Sequence, residues 1–213
     1  LATYNSNLLD SVIYLCTTNV TIPSGSSAAT IQSALDNISH YLSGEVTVTF
    51  SGVNDCSGSS INITNFNMGM LTLTGGTLSN VRFNVQYNTS GINFESMTIY
   101  PPDNDTVFYT ERSPYVRAYD CVFDGNIGSG NWRVLTGENG SWVHIETSVV
   151  KNCSNPFLIA RGRATIYSIV DGGGNTAGGQ VYSYKGAEVI CFNVPFKHSK
   201  SLGGVISSNG TWL

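Results

Sequence analysis

The chain has 213 residues and a formal net charge of −4, with 11% of its residues charged and 41% hydrophobic. That balance argues against nucleic acid as a partner, because such binding rests on phosphate neutralisation by Lys and Arg. No apolar run reaches the length that crosses a bilayer, so no membrane insertion is expected, and the length suits one elongated domain with a continuous core.

Residues 1–27 alternate loosely, with Leu8, Val12, Tyr14 and Val20 as the apolar set, and are expected to form a connector that leads into the first coil. A helix is predicted over 28–44: Ser26 or Ser27 can cap it, Ile31, Leu35, Ile38 and Leu42 share one face, and Gly44 stops it. Its polar face carries no Lys or Arg, so it is expected to cover an exposed end of the fold rather than to lie on a membrane.

From 45 to 194 a short pattern returns. EVTVTF and LTLT are followed by INFESMTI from Ile92, VRAYDCVF from Val116, VHIETSVV from Val143, ATIYSIV from Ala164 and AEVICFNV from Ala187. Taking Val48, Leu71 and the first residues of these copies gives offsets of 23, 21, 24, 27, 21 and 23 residues. A second apolar series, Ile61, Val81, Val107, Val134, Leu158, Val181 and Ile206, runs out of phase with the first. Two interleaved ladders mean at least two strands per repeat, and no helix-length segment separates the copies. Parallel strands joined by short turns describe a solenoid, and crossover handedness favours the right-handed, single-stranded parallel β-helix. A β-sandwich would place its strands nearer 8–12 residues apart, without such self-similarity.

The runs TIQSALDNISHYLSGEVTVTF, INITNFNMGMLTLTGG and GINFESMTIY, roughly residues 28–100, resemble the opening of β-helix modules in bacteriophage tail fibres and tailspikes: a capping helix, a strand, and I-x-I-x-x-F followed by a Gly-flanked L-x-L. The resemblance implies a homotrimeric virion protein, joined to other tail proteins, that binds a bacterial surface polysaccharide or lipopolysaccharide, with or without depolymerase activity. It supplies no catalytic residue.

The last stretch, 195–213, is expected to leave the repeat and close the domain, with Lys197, His198 and Lys200 in a basic turn. Val205 and Ile206 are expected to continue the second ladder. The five cysteines, Cys16, Cys56, Cys121, Cys153 and Cys191, match no zinc or redox spacing and read as buried free thiols. No cofactor or metal is implied by any motif, and the Gly-rich 171–179 lacks the Lys and the helix of a phosphate loop.

In register, the copies place Asn93, Arg117, His144, Thr165 and Glu188 in one outward column, and Glu95, Tyr119, Glu146, Tyr167 and Ile190 in the next. Arg117, Tyr119, His144, Glu146 and Tyr167 therefore form the candidate ligand-binding face: charged groups reach sugar hydroxyls while tyrosine rings pack on the sugar's apolar side. Tyr109 and Trp132, on the expected loops 101–115 and 125–132, are further candidates. Should the chain be a glycosidase, Glu146, Glu95 and Asp120 are the candidate carboxyls, and two rungs put Glu146 roughly 9.6 Å from Glu95, at the edge of the usual range. Binding without catalysis is the leading expectation; a polysaccharide-degrading tailspike or a purely structural shaft segment are the others. A second strand series apolar on both sides, with Val107, Val134, Leu158 and Val181 on one and Phe108, Leu135, Ile159 and Tyr182 on the other, predicts a covered face and hence a homotrimer.

Overall fold

Two-residue alternation sends every second side chain of a strand to one face, and here the apolar set of each strand meets that of the strands above and below it. The computed structural model describes residues 19–102, 105–125, 133–138, 141–152, 158–160, 163–171, 180–184, 188–192, 198–202 and 205–208. Among them the chain makes one helix, Ala28–Asp36, and three parallel sheets of nine, six and seven strands. It visits the three sheets in that order, coil after coil, as a parallel β-solenoid.

In the nine-stranded sheet Val46, Leu71, Ile92, Val116, Val143, Ala164 and Val189 stand in one inward row, and all are buried. The expected ladder thus holds through its middle and shifts by two residues at its ends. Val46 rather than Val48 faces Leu71, and Val189 takes the place expected of Ala187, which lies outside the described residues.

The seven-stranded sheet carries Ile61, Phe83, Phe108, Leu135, Leu158 and Val181 in one row. Phe83, Phe108 and Leu135 replace the expected Val81, Val107 and Val134. Val81 is buried two residues ahead of Phe83, on the same face, so alternation is satisfied by either, whereas Val107 and Phe108 are adjacent and both buried, so no alternation fixes the register there. Tyr109, Thr136, Ile159 and Tyr182 form the neighbouring row, so the two apolar sides proposed from sequence mix residues of different rows. Ile206 pairs with Val189 in the nine-stranded sheet and leaves the second ladder.

A third strand per coil builds the six-stranded sheet, with Asn54, Leu78, Ile99, Phe123, Val150 and Asp171 in register. Seven residues separate Leu71 from Leu78, Ile92 from Ile99, Val116 from Phe123, and Val143 from Val150. A single left-handed residue turns the chain between these sheets: Ser96, Asp120, Thr147 and Ser168 have φ of 51°, 53°, 47° and 51°. Each costs roughly 1–2 kcal/mol of backbone strain, which the sheets on either side impose. In the second coil the same corner is Gly75–Gly76, where a Cβ on Gly76 would sit 2.9 Å from the Phe50 carbonyl oxygen.

Between the sheets the core is aromatic. The ring centroids of Phe83 and Phe94 are 4.8 Å apart, those of Phe94 and Phe108 4.6 Å, and those of Phe108 and Phe123 5.7 Å. Polar interior positions are satisfied along the axis: Asn88 Nδ2 donates to the Ile63 carbonyl at 2.8 Å, and Ser113 Oγ donates to that of Val85 at 3.1 Å. Cys56, Cys121 and Cys191 are buried free thiols, as expected, while Cys16 and Cys153 lie outside the described residues.

Ser27 Oγ accepts from the Thr30 amide at the helix start, and Ile31 and Leu35 are buried in the core. The helix ends at Asp36, short of the predicted 44, because the following segment is drawn into a bridge: the Asn67 amide donates to the His40 carbonyl at 2.6 Å, and the Leu42 amide to that of Asn67 at 2.9 Å. Ile38 and Leu42 stay buried without helix. Gln32 Oε1 accepts from the Asn62 amide at 2.7 Å while its Nε2 donates to the Asn62 carbonyl at 3.1 Å. One side chain thereby makes the two bonds that a neighbouring strand would make to the terminal strand Ser60–Thr64.

Within the connector, Val20–Ile22 pairs with Val48–Phe50, and residues 1–18 lie outside the described part. At the other end His198–Leu202 pairs with Gln180–Tyr184, so His198 and Lys200 stand on a strand that prolongs the repeat, and not in a basic turn. Lys197, most of the Gly-rich 171–179 and Trp132 lie outside the described residues.

Candidate functional site

The outer face of the nine-stranded sheet carries three rows. The middle row is Thr72, Asn93, Arg117, His144, Thr165 and Ile190. One flank is Thr74, Glu95, Tyr119, Glu146, Tyr167 and Phe192. The other runs through Met70, Gly91, Trp142, Arg163 and Glu188, with Tyr115 beside Gly91 just ahead of its strand. Arg117, Tyr119, His144, Glu146 and Tyr167 come together as the sequence predicts. Glu188 does not join the middle row; it stands opposite Arg163, and Ile190 takes its place, the same two-residue shift seen inside the coil.

Both arginines of this face are paired. Arg117 Nη2 lies 2.8 Å from Glu146 Oε2, and Arg163 Nε lies 3.0 Å from Glu188 Oε2. The hydrogen bond to Glu146 raises the Arg117 guanidinium above its ordinary pKa. His144 Nδ1 is 4.0 Å from Glu146 Oε1, yet burial dominates and holds the imidazole below its ordinary value, with Arg117 and Arg163 acting in the same sense, so it is neutral at pH 7.

Aromatic rings are laid between the charges. The Arg117 guanidinium is 4.6 Å from the Tyr119 ring and that of Arg163 is 4.4 Å from Trp142, whose Nε1 donates to Thr165 Oγ1 at 3.2 Å. The His144 ring lies 4.4 Å from Trp142 and 5.2 Å from Tyr115. Tyr119 and Tyr167 are exposed on this face.

Trp142 and Arg163 are absent from the sequence-derived site, although the alternation Trp142, His144, Glu146 places the tryptophan on the same face. Tyr115, at the end of the expected loop 101–115, packs against His144. Tyr109 stands apart: it is on the strand Thr106–Glu111 of the seven-stranded sheet, not in a loop, with the Arg82 guanidinium 5.0 Å from its ring. The glycosidase candidates are dispersed. Tyr119 separates Glu95 from Glu146 in their row, and Asp120 occupies a left-handed corner, exposed, its Oδ2 accepting from Ser96 Oγ at 3.2 Å. Left-handed backbone is a habit of Asp, so the corner alone accounts for this residue.

Four buried side-chain polar atoms lack a hydrogen-bond partner among the described residues: Asn93 Oδ1, Arg117 Nε, His144 Nε2 and Thr110 Oγ1. A buried donor or acceptor left unmade costs about 1–3 kcal/mol. Three of the four belong to consecutive residues of the middle row, at the centre of this face.

No protein-family model matches the chain, and no curated protein matches it. Fold and face together define a parallel β-solenoid bearing an aromatic surface with paired charges.

Proposed function

We propose that the protein is the receptor-binding domain of a phage tail fibre, part of the virion, which recognises a host bacterial surface glycan without cleaving it. The observation that carries the binding role is the outer face of the nine-stranded sheet, where exposed Tyr119 and Tyr167 flank the paired charges of Arg117 and Glu146. Sugars present apolar ring faces edged by hydroxyls, and this surface offers aromatic planes edged by charged hydrogen-bonding groups. The tail-fibre assignment is supported by the resemblance of residues 28–100. In that setting the helix Ala28–Asp36 covers one end of the solenoid.

A homotrimer fits the same reading. By register, one row of the seven-stranded sheet runs Asn62, Asn84, Tyr109, Thr136, Ile159 and Tyr182, a composition that becomes more apolar along the solenoid and suits packing against identical copies. Light scattering should then give three times the chain mass, and a monomer at micromolar concentration would refute this part.

Replacing Tyr119 and Glu146 together by Ala should lower binding to host cells or to arrayed bacterial glycans while leaving thermal stability nearly unchanged, since outward side chains contribute little to the core. Undiminished binding by the double variant would reject the assigned face. Release of reducing ends from host polysaccharide would reject the non-enzymatic assignment in favour of a depolymerase.

A further inference from the structure

We infer that Asn93, Arg117 and His144 are the floor of a binding groove for an uncharged, hydroxyl-rich saccharide, and that Tyr115 is the side chain that closes over it. This rests on the glycan reading above and adds the ligand's charge class and its position on the face.

The unpartnered atoms carry the argument. Asn93, Arg117 and His144 are directly registered neighbours on three successive strands, and each has a buried polar atom without a partner. The Asn93 residue is only 5% exposed although it sits on the outer side of its strand. Its Nδ2 donates to the Met70 sulfur at 2.8 Å, which leaves the acceptor Oδ1 as the unmatched end of the amide.

Tyr115 forms part of the cover. Its Cδ1 comes within 3.5 Å of where a Cβ on Gly91 would lie, and its ring reaches to 5.2 Å from that of His144. A single ring therefore spans the rungs of Asn93, Arg117 and His144. It is attached ahead of the strand Val116–Tyr119, next to Pro114, so rotation about its own side-chain bonds uncovers the row without disturbing a ladder hydrogen bond.

The polarity of the floor selects the ligand. Asn93 Oδ1 accepts and Arg117 Nε donates. His144 is neutral, so its ring offers one donor and one acceptor nitrogen, and the unpartnered Nε2 faces the row. Rungs are about 4.8 Å apart, so an oxygen about 2.8 Å from each of two neighbouring groups subtends roughly 118°. That is the geometry of a hydroxyl that gives its proton to one rung and accepts from the next. A carboxylate has no proton to give to Asn93 Oδ1, and an ammonium cannot accept from Arg117. Net charge points the same way: Arg117 and Arg163 are neutralised by Glu146 and Glu188, and Glu95 adds a further negative charge in the flanking row, so among the described residues of this face an anionic sugar meets no free cation.

The test uses the whole chain on an array of bacterial glycans, neutral ones beside uronate- and sialate-bearing ones, followed by titration with the best binder. Neutral glycans should be preferred, and Asn93→Leu should weaken binding by about tenfold or more, as expected for a lost acceptor in a shielded site. In the wild-type protein, whose folding is not at issue, the His144 imidazole nitrogen resonances should move as the glycan saturates. A preference for anionic glycans, unshifted His144 resonances at saturation, or full affinity in a folded Asn93→Leu variant would each overturn the groove. If binding in those cases still falls with Tyr119→Ala, the broader glycan reading stands alone; if neither glycans nor host cells are bound at all, both fail.

Discussion

Truncating Phe94 tests the register of the solenoid at its centre. Phe94 is fully buried on the inward side of the strand Gly91–Glu95, with the Phe83 and Phe108 rings 4.8 and 4.6 Å away, and its carbonyl accepts from Cys121 Sγ at 3.4 Å in the next coil. The Phe94→Ala change removes a whole ring from between two others in a core held on three sides by sheets. Collapse is limited there, which places the cost near the usual 3–5 kcal/mol for such truncations. For a domain of this length that corresponds to a fall in Tm of roughly 6–20 °C. Glu95, the next residue, points outward, and Glu95→Ala should change stability by no more than about 0.5 kcal/mol. Chemical denaturation followed by far-UV circular dichroism measures both. A Phe94→Ala variant within about 1 kcal/mol of wild type, or an equal loss from Glu95→Ala, would refute the inward assignment of this strand and the rows built on it.

Gln32→Ala should remove both bonds to Asn62 and destabilise by about 1–2 kcal/mol, with faster hydrogen exchange at the Asn62 amide; unchanged protection would show that the helix does not close this strand edge. His144 is neutral in the folded state and held below its ordinary pKa, so the unfolded chain binds the extra proton first. Stability should therefore be intact above the unfolded value of about 6.5 and decline as pH falls below it, and the decline should be shallower in His144→Gln; parallel profiles would contradict the assignment. Burial raises the thiols of Cys56 to about 11 and of Cys121 and Cys191 to about 12. With Cys16 and Cys153 replaced by Ser, a disulfide reagent at pH 8 should react only after denaturant is added, and prompt labelling would refute the buried placement.

The parallel solenoid was legible because its signal is redundant: each of the coils from Ile92 to Ala164 repeats the same alternation, and four of them agree on one register. Where a strand offers two equivalent inward positions, as Val46 and Val48 do, alternation alone is satisfied by either, and only pairing with Leu71 decides. In the seven-stranded sheet Val107 and Phe108 are both buried, so no period of two was there to be read. The six-stranded sheet escaped notice because its strands are as short as Thr98–Ile99, too brief for any periodicity. The core of the candidate face was visible, since its five residues sit on coils whose register is right. For Trp142 the reason is simpler: each copy of the repeat begins at its first apolar core residue, here Val143, and the outward residue before it lies outside the repeating pattern. The unpaired atoms of Asn93, Arg117 and His144 have no sequence signature, because they depend on what Tyr115 and Met70 cover.

The one-residue corner has a bearing on how this molecule could be altered. From the nine-stranded to the six-stranded sheet the chain advances seven residues in each coil between Leu71 and Val150, and eight from Val46 to Asn54, where Gly52 with φ of 55° takes up the extra residue. From the six-stranded to the seven-stranded sheet the advance is five residues between Leu78 and Phe83 but twelve between Phe123 and Leu135. One edge of the prism thus varies by a single residue and another is slack. Foreign segments, such as a peptide tag or a grafted recognition loop, belong on the slack edge, where the coil already absorbs differences in length without losing the step that keeps one rung above the next.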